Sequence, residues 1–267
     1  MGVRDAWDNY TLFAIFGVCD IVCSNMKEMV QNGVDWRENL QNNKFSVIII
    51  GDACSGKTTL LNELKNQGYT VRPEPENPMF SLFLKDSKHY SYHNQLYKTT
   101  QLMEQELQAA ESPTDTPTRF NESGVMATDI YNRYLRDKDL MTPDQFEHLN
   151  GVYTHYLDTM PKPDMVVYLY ADDDTIRQRA LKRDGVVAHD PQELQPYWDR
   201  LLKDLEGRGM SVYRVNTGIR PVEETAKMIL TETERLKKEH PEVKRSVEKP
   251  SGRIQGCYGV GSGIRSC

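Results

Sequence analysis

An apolar, β-branched run, Phe45-Ser46-Val47-Ile48-Ile49-Ile50, opens directly onto Gly51-Asp52-Ala53-Cys54-Ser55-Gly56-Lys57-Thr58. A strand that is apolar throughout belongs in a parallel sheet with both faces covered. Gly51 and Gly56 bracket a loop whose backbone N–H groups can all turn inward. The helix after it offers unsatisfied donors and a partial positive charge to the same point, so an anion belongs there. Lys57 adds a full positive charge, and the Thr58 hydroxyl is placed to ligate Mg²⁺. The spacing is that of a complete phosphate-binding loop, and it calls for a nucleoside triphosphate, ATP, with Mg²⁺. Its lining set is Gly51, Ala53, Cys54, Ser55, Gly56, Lys57, Thr58 and Thr59. Cys54 reads as a small loop residue.

The chain around this core divides into three parts: an N-terminal extension over 1–44, a domain over 45–238 and a tail over 239–267. An amphipathic helix is expected around 7–31, ended by Asn32-Gly33. After the loop, Lys57 to Asn66 reads as a helix closed at Gly68, and Tyr69 to Arg72 as a short strand before Pro73-Glu74-Pro75. Helices are expected near 79–86 and 91–111. Ser112 to Thr118, with its two prolines and three threonines, reads as a loop. Further helices follow over 124–137 and from Thr142-Pro143, where Thr suits the N-cap and Pro the first helical position. Met165 to Tyr170 is a second buried strand. Helices over 174–182 and 192–206, a strand over 212–215 and a helix over 222–238 complete the domain. Strands alternating with helices imply an α/β fold: a parallel sheet of about five strands with helices on both faces. The tail Lys249 to Cys267 carries five glycines and little to bury, so it is expected to be disordered unless a partner orders it.

Composition narrows the function classes. A formal charge of −6 leaves no basic surplus for coating a nucleic acid. The apolar run Leu12 to Cys19 is broken by Asp20, too short to span a membrane, and its acidic flank does not suit a secretory signal. Five scattered cysteines (Cys19, Cys23, Cys54, Cys257, Cys267) make no disulfide framework, and the Cys19/Cys23 pair reads as core. A cytoplasmic or nuclear location is expected.

The stretch Arg72-Pro73-Glu74-Pro75-Glu76-Asn77-Pro78, followed by Phe83, Asp86, Tyr90 and Gln95-Leu96-Tyr97, resembles the deoxynucleoside kinases, cellular and viral. Met160-Pro161-Lys162-Pro163-Asp164, the arginine-rich Arg177 to Arg183 and Glu193-Leu194 before Trp198 extend the resemblance over roughly 45–217. It implies a P-loop kinase with an arginine-rich lid that phosphorylates the 5′-hydroxyl of a deoxynucleoside. By that match Glu74 is the base that accepts the hydroxyl's proton, and Gln95 pairs with the edge of the nucleobase. Phe83 packs beside the base. Leu84 stands where the family often has Tyr. Arg179 and Arg183, four apart on one helical face, are placed to stabilise the transferring phosphoryl group beside Lys57. Arg177 faces elsewhere.

One signature departs. The family carries Asp/Glu-Arg-Ser at the end of an apolar strand, the carboxylate supporting Mg²⁺ and the Arg holding the substrate's 5′ end. Here that place falls on Asn121-Glu122-Ser123, and the strand before it, Pro117-Thr118-Arg119-Phe120, offers almost nothing to bury. A one-residue slip lets Glu122 serve the metal alongside Thr58, with Arg119 reaching in from the strand. The Asp expected four residues after the Ser is Ala127, with Asp129 close by. Two alternatives to an active nucleoside kinase follow. One is a kinase-derived structural subunit of a larger assembly, for which the deoxynucleoside-kinase-like subunit of mitochondrial complex I is a precedent; it would imply a mitochondrial location. The other is a nucleoside-monophosphate kinase. The resemblance also implies a homodimer.

Overall fold

The computed structural model describes residues 45–111, 116–159, 162–187 and 189–239. The helix expected around 7–31 and the glycine-rich tail lie outside the described residues. Five strands form one sheet: β1 (Phe45–Gly51), β2 (Thr70–Arg72), β3 (Thr118–Glu122), β4 (Met165–Tyr170) and β5 (Val212–Asn216). Their order is β2-β3-β1-β4-β5, and every neighbouring pair is parallel. Among the described residues eight α-helices accompany them: α1 (Lys57–Asn66), α2 (Met79–Lys85), α3 (Ser87–Glu111), α4 (Thr128–Asp137), α5 (Pro143–Thr159), α6 (Asp173–Asp184), α7 (Pro191–Gly207) and α8 (Val222–Glu239). A single 3₁₀ turn, Val125–Ala127, precedes α4.

The sheet separates two cores by the two-residue period of its strands. Val47, Ile49, Phe120, Met165, Val167 and Leu169 face Leu60, Leu61 and Leu64 of α1 and Ile229 of α8. Ile48, Ile50, Val166 and Tyr168 face the other way, onto a larger core with Leu102 of α3, Ile130 of α4, Leu149 of α5 and Trp198 of α7. Alternate residues of β1 thus enter opposite cores, which is why the run is apolar throughout. The helix ends follow their caps. Thr142 and Gln145 form a reciprocal capping box at α5, Asp172 caps α6, and Asp190 followed by Pro191 starts α7.

The strand expected to be degenerate is central. β3 lies between β2 and β1, with Ile48 opposite Asn121 and Ile49 opposite Glu122. Phe120 is fully buried, and Thr118, Asn121 and Glu122 are buried too. Hydropathy missed this because the polar residues of β3 are enclosed by the sheet and by the site at its end, not exposed to water. Thr118, expected in the loop, is the first residue of β3. The helix expected from 91 begins four residues earlier, where Asp86 accepts a hydrogen bond from the His89 N–H.

Candidate active site

Parallel strands deliver their carboxyl ends to one edge, and ligands of open α/β sheets lodge in the crevice there, where the chain switches direction. Here that crevice flanks β1, since the chain runs from β1 to β2 on one side and returns later to β4 on the other. The loop after β1, Glu74 just past β2, Glu122 and Ser123 at the end of β3, and Thr217 just past β5 all gather at this edge.

The loop is built as the sequence requires. Gly51 has φ +151°, and a Cβ there would stand 2.3 Å from the Leu169 carbonyl oxygen. Gly56 is left-handed, at φ +98°, where it starts α1. Cys54 also takes a positive φ, of 64°. The Lys57 ammonium donates to the Gly51 and Asp52 carbonyls at 2.9 and 2.8 Å, folding back over the loop. Burial pushes its pKa down, opposed by the charges of Glu74 and Glu122. The Ser55 hydroxyl is buried without a hydrogen-bond partner. Such orphaned polar atoms are rare in folded proteins and suit a site built for a ligand.

Glu122 faces α1, and its Oε1 accepts from the Thr58 hydroxyl at 2.8 Å. Two oxygens bound to one Mg²⁺ at adjacent octahedral positions lie about 2.9 Å apart. The donor pair therefore fits that ion in both chemistry and spacing. Oε2 of Glu122 accepts from the Glu74 N–H at 3.4 Å. Glu74 itself is held at both oxygens, by the Ser123 hydroxyl at 2.7 Å and the Lys98 ammonium at 2.8 Å. Burial alone would raise its pKa; the charge of Lys98, with hydrogen bonds from Lys98 and Ser123, outweighs it and holds the carboxyl at about 2.

Arg179 of α6 donates to the Cys54 carbonyl at 3.4 Å and to the Thr217 hydroxyl and carbonyl at 3.1 and 2.9 Å. Thr217 in turn donates to the Ser55 carbonyl at 2.8 Å, closing a ring of contacts from lid to loop. Arg183 is more exposed and paired with Asp184. Arg177 pairs with Asp174 and Asp190, away from the loop as expected.

Gln95 of α3 is buried, with its Oε1 unpartnered. It sits one turn before Lys98 on the same helix face. Phe83 is buried in an aromatic group with Phe80, and with His189, which also meets Tyr131 and Tyr134. Burial, and then the charge of Lys98, pushes His189 down to about 4. Two expected residues are not brought in. Leu84 is 52% exposed on the outer side of α2. Arg119 shares the rung of Ser46, three residues before the end of β3 and on the sheet face opposite Glu122, where its charge meets Glu106 of α3. Asp129 is ion-paired with Arg133 at 2.7 Å.

Sequence reasoning left several members of the site unnamed. Lys98 and Tyr131 lie on helices packed above Glu74. The Ala53 N–H hydrogen-bonds the Tyr131 hydroxyl, and Lys98 lies 5.3 Å from the centre of the Tyr131 ring. Asp52, inside the loop, accepts from the Trp198 indole at 2.7 Å, and burial raises its pKa to about 6 despite that bond. The one signal for Lys98 was its three-residue spacing from Gln95.

The family model described as deoxynucleoside kinase matches residues 47–208, more than half of the chain. The chain belongs to the deoxynucleoside kinase family. It is 30% identical over 152 residues to a deoxyguanosine kinase of Dictyostelium discoideum, covering 53% of this chain and 52% of that protein. It is 25% identical over 165 residues to a deoxyadenosine kinase of Lactobacillus acidophilus, covering 59% and 74%. The chain thus spans about half the length of the Dictyostelium relative. Among solved structures, the deoxyadenosine kinase of M. mycoides with products dCMP and a flexible dCDP bound superposes with a TM-score of 0.60 at 20% identity, covering 72% of this chain and 100% of that one. The same enzyme with bound dATP gives a TM-score of 0.58. Among the described residues no helix is long and apolar enough to cross a membrane.

Proposed function

We propose that this chain transfers the γ-phosphoryl group of ATP to the 5′-hydroxyl of a deoxynucleoside. The observation that carries the proposal is the Glu74 carboxylate, fixed between Ser123 and Lys98, in a residue whose N–H reaches Glu122, itself joined to Thr58 of the phosphate loop. A hydroxyl acceptor needs a proton acceptor within hydrogen-bond reach, and Glu74 is ionised at neutral pH. A carboxylate held near 2 is a weak base. Phosphoryl transfer through a loose transition state asks more for orientation than for base strength, so this is no obstacle.

Lys57 and the N-terminus of α1 bind the phosphates, and Arg179 fixes the loop against the lid. Mg²⁺, held by Thr58 and Glu122, supplies charge neutralisation to the phosphate oxygens when bound. Gln95 and Phe83 orient the nucleobase, the unpartnered Gln95 oxygen accepting from its edge. A monophosphate acceptor is disfavoured, because its dianion would face the carboxylates of both Glu74 and Glu122.

One observation favours the alternative of a kinase-like structural subunit. Glu122 stands where the family's signature has an arginine, and Arg119 lies on the opposite sheet face. A protein that always co-purifies in a large assembly and turns over no nucleoside would support it. The direct test is incubation with γ-labelled ATP and each natural deoxynucleoside. Labelled deoxynucleoside 5′-monophosphate is expected, with kcat falling on the order of 10²–10⁴-fold in Glu74→Gln. Output no greater than that of Lys57→Ala would end the proposal.

A further inference from the structure

The Glu74 N–H donates to Glu122 Oε2, the charges of both residues act on Lys57, and Lys98 pairs with Glu74. These four groups do not share one fate when a nucleotide binds. Lys57 already lies over the loop carbonyls, where the phosphates belong, and Glu122 is joined to Thr58. Both are therefore drawn to the triphosphate and its metal. Other nearby cations do not pair with Glu74: Arg179 meets Cys54 and Thr217, Arg183 pairs with Asp184 while its charge also reaches Glu122, and Arg119 lies toward Glu106 on the opposite sheet face. Lys98 approaches from a different element, α3. Its contact is with Glu74, and its ammonium is steadied over the Tyr131 ring of α4.

We propose that Lys98 is the positioning residue of the transfer reaction: it supplies from α3 the positive charge that the end of β3 lacks, and holds the Glu74 carboxylate toward the acceptor hydroxyl. This rests on the transfer function proposed above and names a further residue of that site. With Ser123 on one oxygen and Lys98 on the other, the carboxylate plane is fixed by two contacts from separate elements. Without Lys98, the Glu74 carboxylate would keep only the Ser123 hydroxyl, with Lys57 claimed by phosphate. The carboxylate would then be free to rotate about its one remaining contact, and the fixed acceptor for the 5′-hydroxyl proton would be lost.

A merely structural ion pair predicts something different. The side chains of Lys98 and Glu74 are 21% and 28% exposed, so removing Lys98 costs some stability in either case, but a purely structural pair would leave kcat of the folded protein unchanged. The test compares wild type, Lys98→Met and Lys98→Arg in ATP-dependent phosphorylation of the best deoxynucleoside, alongside urea unfolding. In Lys98→Met, kcat is expected to fall on the order of 10²-fold while KM for ATP stays within about twofold. Lys98→Arg, which keeps the charge, is expected to recover most of the loss of kcat, with all three proteins assayed well below their urea midpoints. The inference is overturned if folded Lys98→Met turns over like wild type, or if Lys98→Arg is equally impaired. A wild type that makes no product would end the transfer function and this inference together; an active wild type with an indifferent Lys98→Met would end this inference alone.

Discussion

Glu106 of α3 offers a stability prediction that follows from geometry outside the reacting centre. Its carboxylate accepts the Val125 N–H at 3.0 Å, under the turn that leads from Ser123 into α4. Burial raises its pKa from 4.5 to about 7, only partly offset by that hydrogen bond and by the charge of Arg119. The folded protein therefore keeps a proton between about pH 4.5 and 7 that the unfolded chain has released. Stability is lost as pH rises through this window and is flat above it. At about 1.4 kcal/mol per unit, a shift of this size sets a ceiling of about 3 kcal/mol. Partial exposure of the residue and screening bring the expected effect to roughly 1–2 kcal/mol. Glu106→Gln mimics the protonated acid and keeps an oxygen for the Val125 N–H. Urea unfolding at pH 5, 6, 7 and 8 should show a wild-type-minus-variant difference that moves toward the variant as pH rises. The variant should be the more stable protein at pH 8. A difference independent of pH, or a variant less stable at pH 8, would refute the reasoning.

Two further outcomes are expected. Trp198→Phe removes the donor to Asp52 inside the loop, leaving a buried carboxylate unpaired at a cost of about 1–3 kcal/mol; urea unfolding should report that loss, and KM for ATP should rise. Gly51→Ala places a Cβ 2.3 Å from the Leu169 carbonyl oxygen, which lies on a fully buried strand residue, so a soluble variant should show no saturable Mg·ATP binding by calorimetry.

What the sequence disclosed follows how local each feature is. β1 and its loop were legible because strand, glycines, Lys57 and Thr58 are consecutive, and each carries its own physical reason. The helix start at Thr142 is equally local. β3 was not legible, because Thr118 to Glu122 is a polar segment whose burial depends on strands far away in sequence. The sequence offered Glu122 beside Thr58 only through a one-residue slip, and the register of β3 on β1 gives the pairing its geometry. Lys98 reads as an ordinary helical lysine until β2 delivers Glu74 beneath it. The Trp198–Asp52 bond joins residues 146 apart, and no short pattern records it. Arg119 was misplaced by the same blindness, since strand alternation sends it to the face opposite Glu122.

The proposed function requires the phosphate loop to act together with Thr58 and Glu122. Calorimetric titration of ATP into wild type and Glu122→Gln, each with and without Mg²⁺, addresses that cooperation. Wild type should bind saturably, on the order of tenfold more tightly with Mg²⁺ than without, and Glu122→Gln should lose that metal-dependent gain while retaining metal-free binding. Wild type that takes up no ATP, or a Mg²⁺ gain undiminished in Glu122→Gln, would contradict the account.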